Sequence, residues 1–134
     1  MRRVTPDTNI YVSALNFGGK PAQLLGTAQA RTIRIDISDA ILAELIRVLR
    51  EDFAWDGYGI HFMREKLTKI TNRVIPTRTL KVVDDPDYDR ILECAVEAGS
   101  EFIVTNDKAI LRLGEYDGIK MIRTVDFLQL VQGR

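Results

Sequence analysis

The sequence has one cysteine, Cys94, one histidine, His61, and one tryptophan, Trp55. A single cysteine excludes an internal disulfide and any multi-cysteine zinc site. His61 has no cysteine or serine motif to serve, so it reads as a surface or capping residue. No run approaches the ~18 apolar residues of a membrane span. The opening MRRVTPDTNIYV lacks the uninterrupted apolar core of a signal peptide, so a cytoplasmic protein is expected. Charge of one sign is also missing: 19 basic residues balance 19 acidic ones. That balance excludes strong overall attraction to nucleic acid. No repeat, low-complexity tract or Pro/Gly/Ser-rich linker interrupts the chain, so residues 1–134 are expected to form one domain.

What is present is locally lopsided. From His61 to Lys81 six basic residues face one acid, Glu65, whereas from Asp84 to Glu101 seven acids face only Arg90. Two solvated helix faces would account for this, and so would a phosphate-handling surface beside a cation site. Apolar periodicity alternates in type along the chain. Arg2–Pro6 reads as a short strand entering an Asp7-Thr8-Asn9 turn, and Pro21–Arg31 as a helix with proline in its first turn. Thr32–Ile37 alternates strictly and predicts a strand; Ser38 then caps a helix to about Asp52. Ile60, Met63, Leu67, Ile70 and Val74 recur at helical spacing. Leu80–Val83 reads as a strand and Asp85-Pro86 as the start of a helix ending at Gly99. Glu101–Thr105 is a strand, Asn106–Leu113 a short helix, Lys120–Arg123 a strand, and Thr124 the cap of a last helix. Strands separated by helices predict an α/β domain, a parallel sheet covered on both faces.

In open α/β sheets, sites form beyond the carboxyl ends of the strands. Asp7, the Asp84/Asp85/Asp87/Asp89 group and Asp107 all fall there, and Glu44 lies on the rim of the apolar arc of its helix. Each has an ordinary alternative: Asp7 a turn acid, Asp85 and Asp107 helix caps, Glu44 a surface residue. Gathered at one mouth, such carboxylates repel one another unless a cation joins them. Mg²⁺ and Mn²⁺ favour oxygen ligands and can activate water for phosphodiester attack.

Asp7-Thr8-Asn9 after the first strand, Glu44 within Ile41–Leu45, Asp85-Pro86-Asp87 leading into Ile91–Ala95, and Phe102–Asp107 together resemble the PIN-domain family. The likeness is to its branch of toxin components from toxin–antitoxin systems and covers the whole chain. It implies a three-layer domain with a parallel, mostly five-stranded sheet, and a Mg²⁺- or Mn²⁺-dependent endoribonuclease acting on single-stranded RNA. Asp7, Glu44 and Asp107 take the acidic positions, with Thr8, Asn9 and Thr105 supporting them. The family's remaining acid would stand seven residues before Ala95, where this chain has Tyr88, flanked by Asp87 and Asp89. Asp89 is the favoured substitute because Asp87 is well explained as a first-turn acid; Asp87 is the competing third acid. The resemblance also implies a cognate antitoxin and a homodimer.

Arg64, Lys66, Lys69 and Arg73 form a basic run suited to an RNA backbone. The Gly19-Lys20 pair lacks the rest of a phosphate-binding loop and is set aside. Cys94 reads as a small core residue, and Trp55 and Tyr58 as anchors beneath a loop rather than base-stacking platforms. Tyr88 keeps a second function class open, a catalytically impaired PIN-like module that binds RNA or a protein partner.

Overall fold

Strands β1 (Arg2–Pro6) and β2 (Ile33–Ser38) bury side chains on both faces. Val4, Thr5 and Pro6 are all buried, and so are Ile35, Asp36, Ile37 and Ser38. Strands that hide both sets of side chains need a covering layer on each side. Helices supply both layers in the computed structural model, which describes residues 1–133. After β1 come α1 (Thr8–Asn16) and α2 (Gly19–Gln29); after β2 come α3 (Asp39–Phe53) and α4 (Gly57–Ile70). β3 (Thr71–Val74), α5 (Pro86–Ala98), β4 (Phe102–Val104) and α6 (Lys108–Leu113) follow. The described chain ends with β5 (Glu115–Tyr116), β6 (Ile119–Ile122) and α7 (Thr124–Gln132).

The sheet order is β3-β2-β1-β4-β6-β5. Five strands are parallel, and the two-residue β5 pairs antiparallel with β6 at the edge, so the α/β sheet has six strands rather than five. Leu24, Leu45, Leu49, Ile35, Ile103, Val104, Tyr11 and Phe127 fill the core around it. From β1 the chain moves to one side through β2 and β3, and later returns to β4 on the other side. The order in which strands are added therefore reverses between β1 and β4, which opens a crevice at their carboxyl ends.

Local chemistry sets the helix ends that frame this crevice. The Ser38 hydroxyl accepts the Ile41 amide at 3.3 Å to start α3. Asp85 accepts the Asp87 amide at 3.0 Å, with Pro86 following in the first turn of α5. Gly99 closes α5 at φ 67°, a conformation cheap only for glycine.

Four segments depart from the sequence reading. Thr8 and Asn9, expected within a turn, open α1, which runs to Asn16 through residues for which no element was expected. Val74 leaves the preceding helix, because Thr71–Val74 adds to the sheet beside Ile35–Ser38. Leu80–Val83 is not a strand. Its amides bind carboxylates of α5 instead: Leu80 to Glu93 at 2.8 Å, Val82 to Asp89 at 2.8 Å and Val83 to Asp89 at 3.1 Å. Thr124 does not cap α7; its amide and hydroxyl meet Asn106 Oδ1 at 3.3 and 3.5 Å, and Arg123 holds the cap position.

Candidate active site at the carboxyl end of the sheet

Asp7 sits where β1 becomes α1, and its amide binds the Val104 carbonyl of β4 at 2.9 Å. Its Oδ1 accepts the Ile10 amide at 3.1 Å, so it caps α1. Its Oδ2 accepts both the Thr105 hydroxyl and the Tyr88 phenol, the latter at 3.2 Å. The carboxyl is 1% exposed. Burial raises its pKa, the Thr105, Ile10 and Tyr88 bonds offset part of that, and the nearby charge of Asp107 adds to it.

Asp107 caps α6 through the Ile110 amide at 3.1 Å, while its own amide rests on Thr105 Oγ1 at 3.1 Å. Thr105 thus ties the β4 and β1 acids into one unit. Asp107 also lines an open cavity of about 410 Å³ with Asp84, Asp85 and Tyr88.

Glu44 projects from the second turn of α3 into a smaller cavity of about 90 Å³, shared with Thr8, Asn9, Asp87, Tyr88 and Ile91. Burial, then the adjoining carboxyl of Asp87, pushes the Glu44 pKa up to about 7. Two carboxyls facing each other in a confined space hold a proton between them more readily than two charges. Arg47 stands over the pair, 4.0 Å from Glu44 and 3.9 Å from Asp87. The sequence reading missed this cation; the i,i+3 spacing of Glu44 and Arg47 was the available signal. The Thr8 hydroxyl is buried beside Glu44 with no formed hydrogen bond, although it lies near enough to favour the charged carboxylate.

Tyr88 stands between these two acidic groups and lines both cavities. Burial raises its phenol pKa, and the charges of Asp7 and Asp107 raise it further. It is a neutral donor at the place where the resemblance puts an acid. Asp89, by contrast, is 4% exposed and lines neither cavity; its Oδ1 is occupied by the Val82 and Val83 amides. Asp87 faces Glu44 and is half exposed.

The basic run is dispersed. Lys66 and Lys69 lie in the last two turns of α4, next to the amino ends of β2 and β3, at the opposite end of the sheet from Asp7. Arg73 pairs with Asp39, and Arg64 lies exposed in mid-helix. Trp55 anchors its loop by donating Nε1 to Asn16 Oδ1 at 2.9 Å, while Tyr58 is exposed. Cys94 is fully buried and its thiol is pushed up to about 12 by burial, so it is an inert core residue.

The acids near the carboxyl ends of β1 and β4 and on α3 and α5 thus border the crevice at the switch point, the place where open α/β sheets bind their ligands. Residues 3–109 match the model of the PIN domain, so the chain belongs to the PIN-domain family. No curated protein matches it. Among solved structures it is similar to that of VapBC2 from Rickettsia felis bound to a DNA fragment from the promoter. That match has 17% identity, covers 90% of this chain and 98% of the other, and has a TM-score of 0.58. It is also similar to VapBC-1 from nontypeable Haemophilus influenzae, with 14% identity, 92% and 98% coverage, and a TM-score of 0.60.

Proposed function

We propose that this protein is a toxin-type PIN ribonuclease that hydrolyses single-stranded RNA with the help of Mg²⁺ or Mn²⁺. The observation that carries the reading is the convergence of Asp7, Glu44, Asp87 and Asp107 on either side of Tyr88. Among the described residues no three of these side chains are close enough to form a closed metal cage. That pattern suits an ion held by one or two carboxylates with water completing the shell, the usual habit of Mg²⁺. The donor set fits in kind as well. All its members are oxygens, the Asp7 and Glu44 pKa values are raised by burial and by the neighbouring acids Asp107 and Asp87, and the Thr8 hydroxyl is left without a partner.

Glu44 and Asp87 would hold the ion directly, and Asp7 with Asp107, on the other side of Tyr88, would reach it through water. Such an ion supplies a nucleophilic water and neutralises charge on the phosphodiester. The chain's own residues do the positioning. Thr105 fixes Asp7 and Asp107 relative to each other, the α1 amide of Ile10 fixes the Asp7 rotamer, and Arg47 offers a cation to an incoming phosphate. In this reading Asp87 replaces Asp89 as the third acid, because Asp89 is committed to the 82–83 backbone. Asn9, on the rim of the smaller cavity, would hydrogen-bond substrate from there.

The test is cleavage of an unstructured RNA by purified protein with Mn²⁺ or with chelator, alongside Asp7→Asn. Cleavage that needs Mn²⁺ and is lost in Asp7→Asn supports the reading; cleavage surviving both chelator and Asp7→Asn refutes it. A second reading rests on one observation, the Tyr88 phenol bound to Asp7 where an acid is expected. It makes the protein a catalytically impaired module that binds RNA or a protein, and it predicts no Mn²⁺ heat in calorimetry. Likeness to the VapBC structures supports pairing with an antitoxin protein. We also propose a homodimer, which light scattering would reveal as a doubled mass.

A further inference from the structure

At the end of the sheet away from the acids lies a cavity of about 500 Å³. Its wall is formed where β2 and β3 begin and α4 ends, and it carries Arg31, Arg34, Lys66 and Lys69. Among the described residues no aspartate or glutamate lines it. In a chain of zero net charge, four cations around one hollow without a lining acid is a marked local excess. One of the four is already neutralised: Arg34 donates to the buried Asp36 carboxylate at 2.8 and 3.1 Å and to the Ala98 carbonyl at 2.7 Å. Lys66, Lys69 and Arg31 make no salt bridge among the described residues.

Arg31 is held at φ 61°, the left-handed region. Glycine would occupy that position at lower conformational cost, so the turn from α2 into β2 keeps a charge at the rim despite strain. Asn72 extends the polar wall; its Nδ2 binds Asp36 at 2.9 Å, which fixes the side chain. Ala28, Ile33 and Ile70 supply an apolar patch on the same lining.

We propose that this cavity is a binding site for a small phosphate-bearing anion, separate from the acidic crevice. Its size falls in the ~300–1,000 Å³ range of small-molecule sites. The six residues of β2 put roughly 20 Å between its amino end and the carboxyl end of the sheet. That separation puts the cavity outside the stretch of substrate in contact with Asp7, which favours an independent small ligand. Lysine ammonium groups flanking an arginine suit a terminal phosphate or diphosphate, which presents several oxygens to separate donors.

Calorimetry of the full chain with pyrophosphate at low ionic strength tests this, with a non-hydrolysable single-stranded DNA oligomer as the second arm. The variants are the double reversal Lys66→Glu with Lys69→Glu, and Asp7→Asn as a control in the crevice. Both lysines are exposed, and circular dichroism reports whether the double variant folds. Arg31→Asn, which tolerates the left-handed backbone, is the second probe. The proposal expects pyrophosphate binding that weakens roughly tenfold or more in the double variant, weakens in Arg31→Asn, and is unchanged in Asp7→Asn. Pyrophosphate binding that ignores the lysine reversals overturns it. So does absence of pyrophosphate binding, or an effect of the reversals confined to the oligomer.

Discussion

Replacing Glu44 by glutamine should make the metal-free protein more stable at pH 8 and leave it unchanged at pH 4.5. In the folded chain partial burial, and then the facing Asp87, pushes the Glu44 pKa up to about 7, against 4.5 for an unperturbed carboxyl. Below pH 4.5 it is protonated in both folded and unfolded states and costs nothing. Between 4.5 and about 7 the unfolded chain releases the proton first, so folded stability falls as pH rises. Above 7 the full cost is present. At ~1.4 kcal/mol per decade the ceiling is about 3 kcal/mol, and contact with solvent and salt reduces it to about 1–2 kcal/mol. Arg47 is half exposed, so losing its weak attraction to Glu44 changes little. Glu44→Gln keeps the side-chain shape and lets an amide donate to Asp87. For a domain of this size a gain of 1–2 kcal/mol raises Tm by roughly 3–8 °C. The assay is thermal or urea unfolding in chelator at both pH values. Asp7, also raised by burial, leaves a residual slope of the same sign in the variant. A variant no more stable than the parent at pH 8, or equally stabilised at both pH values, refutes the reasoning.

Asp87→Asn should reduce the heat of Mn²⁺ binding more than Asp89→Asn does, while Asp89→Asn lowers unfolding stability by about 1–3 kcal/mol because it weakens a buried acceptor of two amides. Calorimetry and urea titration check the pair. Tyr88→Asp should raise Mn²⁺ affinity and RNA cleavage, since it sets a third carboxyl beside Asp7 and Asp107; unchanged affinity contradicts it. Ala54 ends α3 at φ 55°, so Ala54→Gly should stabilise the fold by about 0.5–1 kcal/mol, read as a rise in the urea midpoint.

Much of the fold was legible because its signals are local. Thr32–Ile37 alternates, Ser38 caps, Pro86 sits in a first turn and Gly99 closes a helix, and each produced the element it predicted. The misses have long-range causes. Residues 8–16, TNIYVSALN, are rich in weak helix formers, and α1 is held by the Asp7 cap and by burial of Ile10, Tyr11 and Val12. Leu80–Val83 has strand-like composition, yet the Glu93 and Asp89 carboxylates claim its amides, a pairing that no spacing within the segment reveals. Val74 continued a helical period but found its partner in Ser38 of β2.

The place of the candidate site was readable in part for the same reason. Asp7, Glu44 and Asp107 could be named from strand ends and a helix rim, and the fold sets Glu44 on one side of Tyr88 and Asp7 with Asp107 on the other. The different surroundings of Asp87 and Asp89, on which the proposed preference for Asp87 rests, depend on the helix start in three dimensions. A first-turn wheel angle does not tell which carboxyl meets Glu44 and which meets the 82–83 backbone.

Crystals soaked in Mn²⁺, with the ion located by its anomalous scattering, test the central claim most directly. The account predicts an ion in the crevice with oxygen ligands from Glu44 and Asp87, and Asp7 on its Tyr88 side through water. An ion bound by Asp89, or a crevice free of manganese while the protein cleaves RNA, would contradict it.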